Sequence, residues 1–147
     1  MSIWFQPYTL ESVQQRGAGT MVEHISIAIV ELGQDFLSGT MPVDHRTVQP
    51  MGILHGGASV ALAETLGSLA ANLVVDPDQK YCVGLDINAN HIRSVSKGMV
   101  KGKASPIHLG SSTHVWHIEI RDEQNRLVCI SRLTMAILDK AQMESRK

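Results

Sequence analysis

The sequence predicts an α+β domain in which an antiparallel sheet curls around one long central helix. Three observations carry this. The chain has 147 residues with 44% hydrophobic and 18% charged content, the size and balance of one domain around a single core. From His55 the chain is apolar for about twenty residues, with Leu62, Leu66, Leu69 and Leu73 at the i, i+3, i+4 spacings of a core-facing helix. Beyond Asp76-Pro77-Asp78 it is nearly all strand-like, broken by turn signals. A helix this apolar around its circumference cannot lie outside such a sheet, so the sheet must enclose it.

The elements follow in order. Thr9–Arg16 reads as a short helix stopping at Gly17-Ala18-Gly19, and Thr20-Met21-Val22-Glu23 has the spacing of a capping box that starts another brief turn. Ser26–Glu31 and Asp35–Val43 form a hairpin joined near Gly33. The loop Asp44–Leu54 contains Pro50 and Gly52 and leads into the long helix. Four strands are expected at Tyr81–Arg93, Met99–Ile107, Thr113–Arg121 and Leu127–Leu138. The polar segment from Asp139 is expected to fray, with 1–147 forming one domain.

Composition narrows the function. Thirteen Lys and Arg against fourteen Asp and Glu give a net charge of -1, which offers no bulk attraction for nucleic acid or anionic lipid. Cys82 and Cys129 are too few and too isolated for a disulfide framework or a zinc site and read as small buried residues. His114 and His117 are three apart in a strand and so point to opposite faces, and no metal site is expected. Leu54–Val75 is long enough to span a membrane, but a central Glu opposes insertion by about 2.5–3.5 kcal/mol. No secretory leader is visible in Met1–Tyr8, so a cytoplasmic protein is expected.

That central Glu is Glu64, the only Asp, Glu, Lys or Arg between Arg46 and Asp76. At about 100° per residue, Gly57, Val60, Glu64, Gly67, Ser68 and Ala71 fall opposite the leucine stripe. A solvated face would carry several charges. A single carboxylate among small side chains marks a working group in a restricted site.

Val48-Gln49-Pro50-Met51-Gly52-Ile53-Leu54-His55-Gly56-Gly57, continuing to Ala63-Glu64-Thr65-Leu66-Gly67-Ser68, resembles the hotdog-fold acyl-CoA thioesterases. It is most similar to the bacterial branch that includes 1,4-dihydroxy-2-naphthoyl-CoA hydrolase and the enterobactin proofreading thioesterase. Val83–Arg93 and Pro106-Ile107-His108-Leu109-Gly110 extend the likeness to nearly the whole chain, from Trp4 to Leu138. Glu rather than Asp on the helix resembles the 4-hydroxybenzoyl-CoA thioesterase type within this fold.

The resemblance implies hydrolysis of aromatic or medium-chain acyl-CoA to free acid and CoA, with no separate cofactor. Glu64 is then a general base or a nucleophile giving a mixed anhydride; the sequence leaves both open. A carboxyl shielded from water ionises less readily, which suits base work near neutral pH. Gly56, at the unpaired positive end of the helix, supplies an N–H to the thioester carbonyl. Gln49 orients the carbonyl or the water, His55 orients the loop or the thioester, and Ser68 lies one turn from Glu64 within reach of its carboxylate. In similar enzymes these groups meet across a homodimer interface, and dimers assemble into tetramers.

For CoA, similar proteins use Gly84, the stretch His91-Ile92-Arg93-Ser94 and the turn His108-Leu109-Gly110-Ser111-Ser112-Thr113. His91 and Arg93 alternate onto one strand face, offering a donor and a fixed cation for phosphate. The chain departs from the pattern at Ser94, where relatives often carry Pro, and at Ser111, where they often carry Arg. Lys101 and Lys103 share a strand face that could compensate, though a solvated edge is the simpler reading. The missing cation keeps open a second reading, hydrolysis of acyl groups misloaded on a carrier protein. A non-catalytic acyl-CoA-binding regulator would need a DNA-binding segment and a basic balance that the residues before His24 do not provide. Menaquinone synthesis, siderophore proofreading and general acyl recycling all fit as pathways.

Overall fold

The computed structural model describes residues 1–145. Two short helices, α1 (Leu10–Gln15) and α2 (Met21–His24), precede the hairpin of β1 (Ala28–Leu32) and β2 (Leu37–Pro42). Then come the long helix α3 (Gly56–Val74), the strands β3 (Lys80–His91), β4 (Met99–Leu109), β5 (Thr113–Arg121) and β6 (Leu127–Asp139), and a terminal α4 (Lys140–Glu144). Thr9 caps α1 in a reciprocal capping box with Ser12. At α2 the Thr20 hydroxyl accepts from Val22 N, whereas the Glu23 carboxylate reaches back past the cap to Gly19 N. Residues expected to fray are held at their start, because Lys140 N–H donates to Gln79 O; residues 146–147 lie outside the described residues.

All strands pair antiparallel in one six-stranded sheet of order β1-β2-β4-β5-β6-β3. The first strand after the helix therefore ends up at the far edge, beside the last. β5 shows why the sheet has one dry face: alternate residues His114, Trp116, Ile118 and Ile120 are buried and the intervening ones are not. Leu62, Leu66 and Leu73 of α3 are fully buried inside the curl. The approach is close because Leu66 occupies space a side chain at Gly39 or Gly102 would need, at 2.8 and 2.6 Å from the respective Cβ positions.

The sheet wraps more of α3 than a single stripe. Gly67 and Ala71, expected on the open face, are buried, Gly67 because the Leu133 side chain lies 2.6 Å from where its Cβ would be. Leu69, expected in the core stripe, is only half-buried and borders the open face. The free arc of the helix is centred on Val60, Ala61, Glu64, Thr65, Ser68 and Leu69. α3 is also the one helix among the described residues long and apolar enough to cross a membrane, yet Leu62, Leu66 and Leu73 are buried in the core.

Candidate active site

The loop before α3 is fixed by its own backbone. Gln49 N–H donates to Ile53 O, Gly52 N–H to Gln49 O and His55 N–H to Thr47 O. The Gln49 side-chain Oε1 accepts from Met51 N–H. One lone pair of its oxygen is thereby engaged, and its NH₂ group makes no hydrogen bond among the described residues.

His55 is the N-cap of α3, and its Nδ1 accepts from Gly57 N–H at 2.8 Å. An accepting Nδ1 leaves the proton of the neutral ring on Nε2. Ala58 and Ser59 both donate to His55 O, at 3.0 and 3.2 Å. Of the first four N–H groups of the helix, Gly56 alone has no acceptor among the described residues. The geometry thus singles out the amide that the sequence proposes as carbonyl donor. Gln49, Gly56, Ser59, His91, Ile92, Arg93 and Ser94 line one cleft of about 300 Å³. β3 ends at His91, two residues short of expectation, because Ile92 and Arg93 both turn their N–H groups to Val128 O.

Glu64 lies elsewhere. It is eight residues along α3 from Gly56, about 12 Å at 1.5 Å per residue, and borders a different cavity. That groove, of about 530 Å³, runs between α3 and α2 and is lined by Met21, Val22, Ile25, Ile27, Val60, Ala61 and Leu69, with Thr65 and Ser68 as its polar members. Glu64 is half-buried and makes no hydrogen bond or ion pair among the described residues. Its carboxylate reaches over β3 into the space a side chain at Gly84 would fill. Gly84, expected among the CoA-binding residues, is therefore a neighbour of the candidate base.

The remaining expected CoA residues sit at opposite ends of the sheet. His91–Ser94 lie at the start of α3. The turn from His108 to Thr113 lies by its end, where Leu109, Gly110 and Ser111 share a cleft with Val75, Asp76, Lys80 and His114. Along β3, Gly84 and His91 are seven residues apart, about 23 Å. Lys80 places a cation near Ser111, where the sequence lacks the expected Arg. Lys101 and Lys103 are engaged away from both clefts, with Glu31 at 3.5 Å and over the Phe36 ring at 4.0 Å.

Sequence reasoning missed Asn72. Its side chain accepts from Cys82 N–H and donates to Cys82 O and Ser68 O, fastening β3 to the helix two residues before Gly84. Its position four residues after Ser68, as a polar residue in an apolar helix, was the available signal. Burial pushes the Cys82 thiol up to about 11, so it is an inert packing group.

A sheet curled around one helix, a donor-bearing loop at the helix start and a lone carboxylate on its open face define a hotdog-fold thioesterase. The chain belongs to the thioesterase superfamily, whose model matches residues 51–129, and it is a thioester hydrolase. It is 54% identical over 136 residues to the 1,4-dihydroxy-2-naphthoyl-CoA hydrolase of Escherichia coli, covering 92% of this chain and 99% of that one. It is 53% identical over 136 residues to the proofreading thioesterase EntH of Cronobacter sakazakii, covering 92% and 98%. Among solved structures, a Haemophilus influenzae thioesterase superposes with a TM-score of 0.90 at 51% identity, over 93% of this chain and 95% of that one. A Staphylococcus aureus thioesterase was solved with alanine replacing a glutamate and, separately, a glutamine; these superpose with TM-scores of 0.79 and 0.78, both at 39% identity, over 81% and 80% of this chain and 98% and 97% of those.

Proposed function

We propose that the chain is a cytoplasmic acyl-CoA thioesterase for aromatic or medium-chain acyl groups, with two composite sites in a homodimer. Each site joins Glu64 and Ser68 of one copy to Gln49, His55 and Gly56 of the other. The observation that carries this is the separation within one chain: Gly56 and Glu64 stand eight residues apart on α3, a backbone rise of about 12 Å, and line different cavities. A second copy would bring a carboxylate to the Gly56 cleft, which the chain's own Glu64 does not line.

β3 offers the means of pairing. It is an edge strand of twelve residues with Val83 and Leu85 exposed, and an unpaired edge of that length invites a partner strand. In an isologous antiparallel pair the Gly84 end of one strand lies beside the His91 end of the other. Glu64 of one copy then approaches the helix start of its partner, and the turn at His108–Thr113 approaches the partner's Arg93. The homotetramer would be a further pairing of such dimers. The two residues replaced in the Staphylococcus aureus protein are fifteen positions apart in its numbering, as Gln49 and Glu64 are here.

The chemistry follows. Gly56 N–H and the Gln49 NH₂ donate to the thioester oxygen and hold the negative charge that develops there. On the general-base route, Glu64 takes a proton from water, the resulting hydroxyl adds to the carbonyl carbon, and the C–S bond breaks. The departing thiolate takes the proton back from Glu64. On the covalent route the carboxylate itself adds, expels the thiolate and forms a mixed anhydride that water cleaves. Ser68 hydrogen-bonds the carboxylate or the water, and His55 Nε2–H faces the incoming thioester. Among the described residues the groove beside Glu64 carries no other charge, which suits an uncharged acyl group. The exposed Arg93 and Ser94, at the mouth of the Gly56 cleft, hold the CoA phosphates.

Mixing two dead variants tests the composite site. Glu64→Ala and Gln49→Ala homodimers are each expected to be inactive, while a dimer with one chain of each type retains one intact site. Unfolding and refolding an equimolar mixture should restore about one quarter of wild-type activity, since about half the dimers are mixed and each has one of its two sites. Absence of recovery, with mixed dimers verified by mass spectrometry, would place each site within one chain. Ser111 and the Cronobacter relative favour a second reading, in which the acyl group arrives on a carrier protein's phosphopantetheine. Comparing kcat/KM for one acyl group on the two carriers separates them.

A further inference from the structure

His91 occupies the last paired position of β3, opposite Cys129. By resemblance it belongs with the phosphate contacts of CoA. Its ring, however, lies over the start of α3. Nε2 and Cε1 stand 2.8 and 3.1 Å from where a Cβ would be on Gly56. Any side chain at position 56 would collide with the imidazole, so the glycine there admits a ring as well as forming the turn.

The ring is thus placed against the one amide of the helix start without an acceptor, and its own nitrogens have no partner among the described residues. Ser59, one turn further along the same cleft, is 2% exposed, and its hydroxyl likewise makes no hydrogen bond among the described residues. Three polar groups with no protein partner among the described residues thus line one cleft, open to a ligand's polar atom.

We propose that His91 Nε2–H is a further donor to the thioester oxygen, acting with Gly56 N–H and the Gln49 NH₂. The inference rests on the composite-site reading and reassigns this residue within it. The ring transfers no proton; it supplies a hydrogen bond that strengthens as the carbonyl oxygen gains charge and the C–S bond lengthens. Donors converging on one oxygen stabilise such a charge, and an imidazole beside a helix N-terminus can serve as one of them.

A donor to the carbonyl and a contact to the nucleotide make opposite predictions for a truncated substrate. His91→Leu and His91→Gln should be assayed on benzoyl-CoA and on benzoyl-pantetheine, which has no nucleotide. His91→Leu is expected to lower kcat about 100- to 1,000-fold on both substrates, with His91→Gln recovering part of the loss through its amide NH₂. Should His91→Leu fail to fold, His91→Gln and His91→Asn carry the same comparison. A rise in KM confined to benzoyl-CoA, with benzoyl-pantetheine turned over at the wild-type rate, would overturn the proposal and return His91 to the phosphates. Wild-type turnover by Glu64→Ala would instead remove the composite-site reading, so the two failures are told apart.

Discussion

The start of α3 and its middle are built on opposite principles. At the start, backbone and side chains form a hydrogen-bonded frame within nine residues of loop and two of helix: His55 bonds Thr47 and Gly57, and Gln49 bonds Met51 and Ile53. What the frame leaves over is donors, at Gly56 and Gln49. In the middle there is an apolar groove, a carboxylate with no partner among the described residues, and a glycine on the facing strand. What it leaves over is an acceptor and a base. Each region lacks what the other has in excess. A pre-organised donor set holds charge in the transition state without rearranging, whereas a base needs freedom to move between water and leaving group. The contrast explains why the two halves are kept apart on one chain.

The strongest way to break this contrast is to neutralise the middle while leaving its shape. Glu64→Gln is nearly isosteric. It is expected to lower kcat by about 100- to 10,000-fold, with KM and oligomeric state unchanged because nothing in the fold depends on that charge. Steady-state kinetics beside size-exclusion chromatography would read both. A Glu64→Gln enzyme that keeps wild-type kcat would leave the carboxylate without a role.

A smaller effect sharpens the same contrast from the facing strand. At Gly84 an added Cβ would occupy the place of the Glu64 carboxylate. The end of a glutamate side chain moves easily, so Gly84→Ala should fold normally but displace the base by about 1 Å. Displacements of that order cost up to about 100-fold in rate, and roughly 10- to 100-fold is expected in kcat. If Gly84 instead served CoA alone, the change would appear in KM, and the pantetheine thioester would not register it.

That apposition also shows where a sequence stops being legible. The late strands could be read because each lies between Gly, Ser or Asp turns, and β5 alternates without a break from Thr113 to Arg121. The loop motif and the lone Glu64 could be read because both are local. Gly84 against Glu64 could not. It depends on β3 crossing to the far edge of the sheet beside β6, and on the irregularity in pairing between Gly84 and Asp86 that shifts the register there. The same nonlocal cause misplaced Gly67 and Ala71: a helical wheel assigns one buried stripe, but a sheet that closes to within contact of Leu66 and Leu133 buries a wider arc. The dispersal of His91–Ser94 and His108–Thr113 to opposite ends of the sheet was likewise invisible, because it follows from strand order and not from spacing.

The smallest expected effect concerns the clamp that joins the two regions. Asp44 opens the loop that carries Gln49, and its carboxylate binds Arg46 at 2.6 Å. The same guanidinium donates to His24 O and Ser26 Oγ, at the end of α2, which walls the Glu64 groove. The Arg46 hydrogen bonds lower the Asp44 pKa from 3.8 to about 2. A carboxyl whose pKa is lower folded than unfolded stabilises the fold above the unfolded value, and that contribution disappears as pH falls through the folded one. Asp44→Asn mimics the protonated acid. The wild type should therefore melt slightly higher than Asp44→Asn at pH 7, with the gap constant down to about pH 4 and closing toward pH 2. Because the pair is exposed, the gap should also narrow in 1 M salt, where charges are screened over about 3 Å. A gap that persists unchanged at pH 2 would mean that the aspartate acts there through shape alone, and that the link between the loop and the groove wall is not electrostatic.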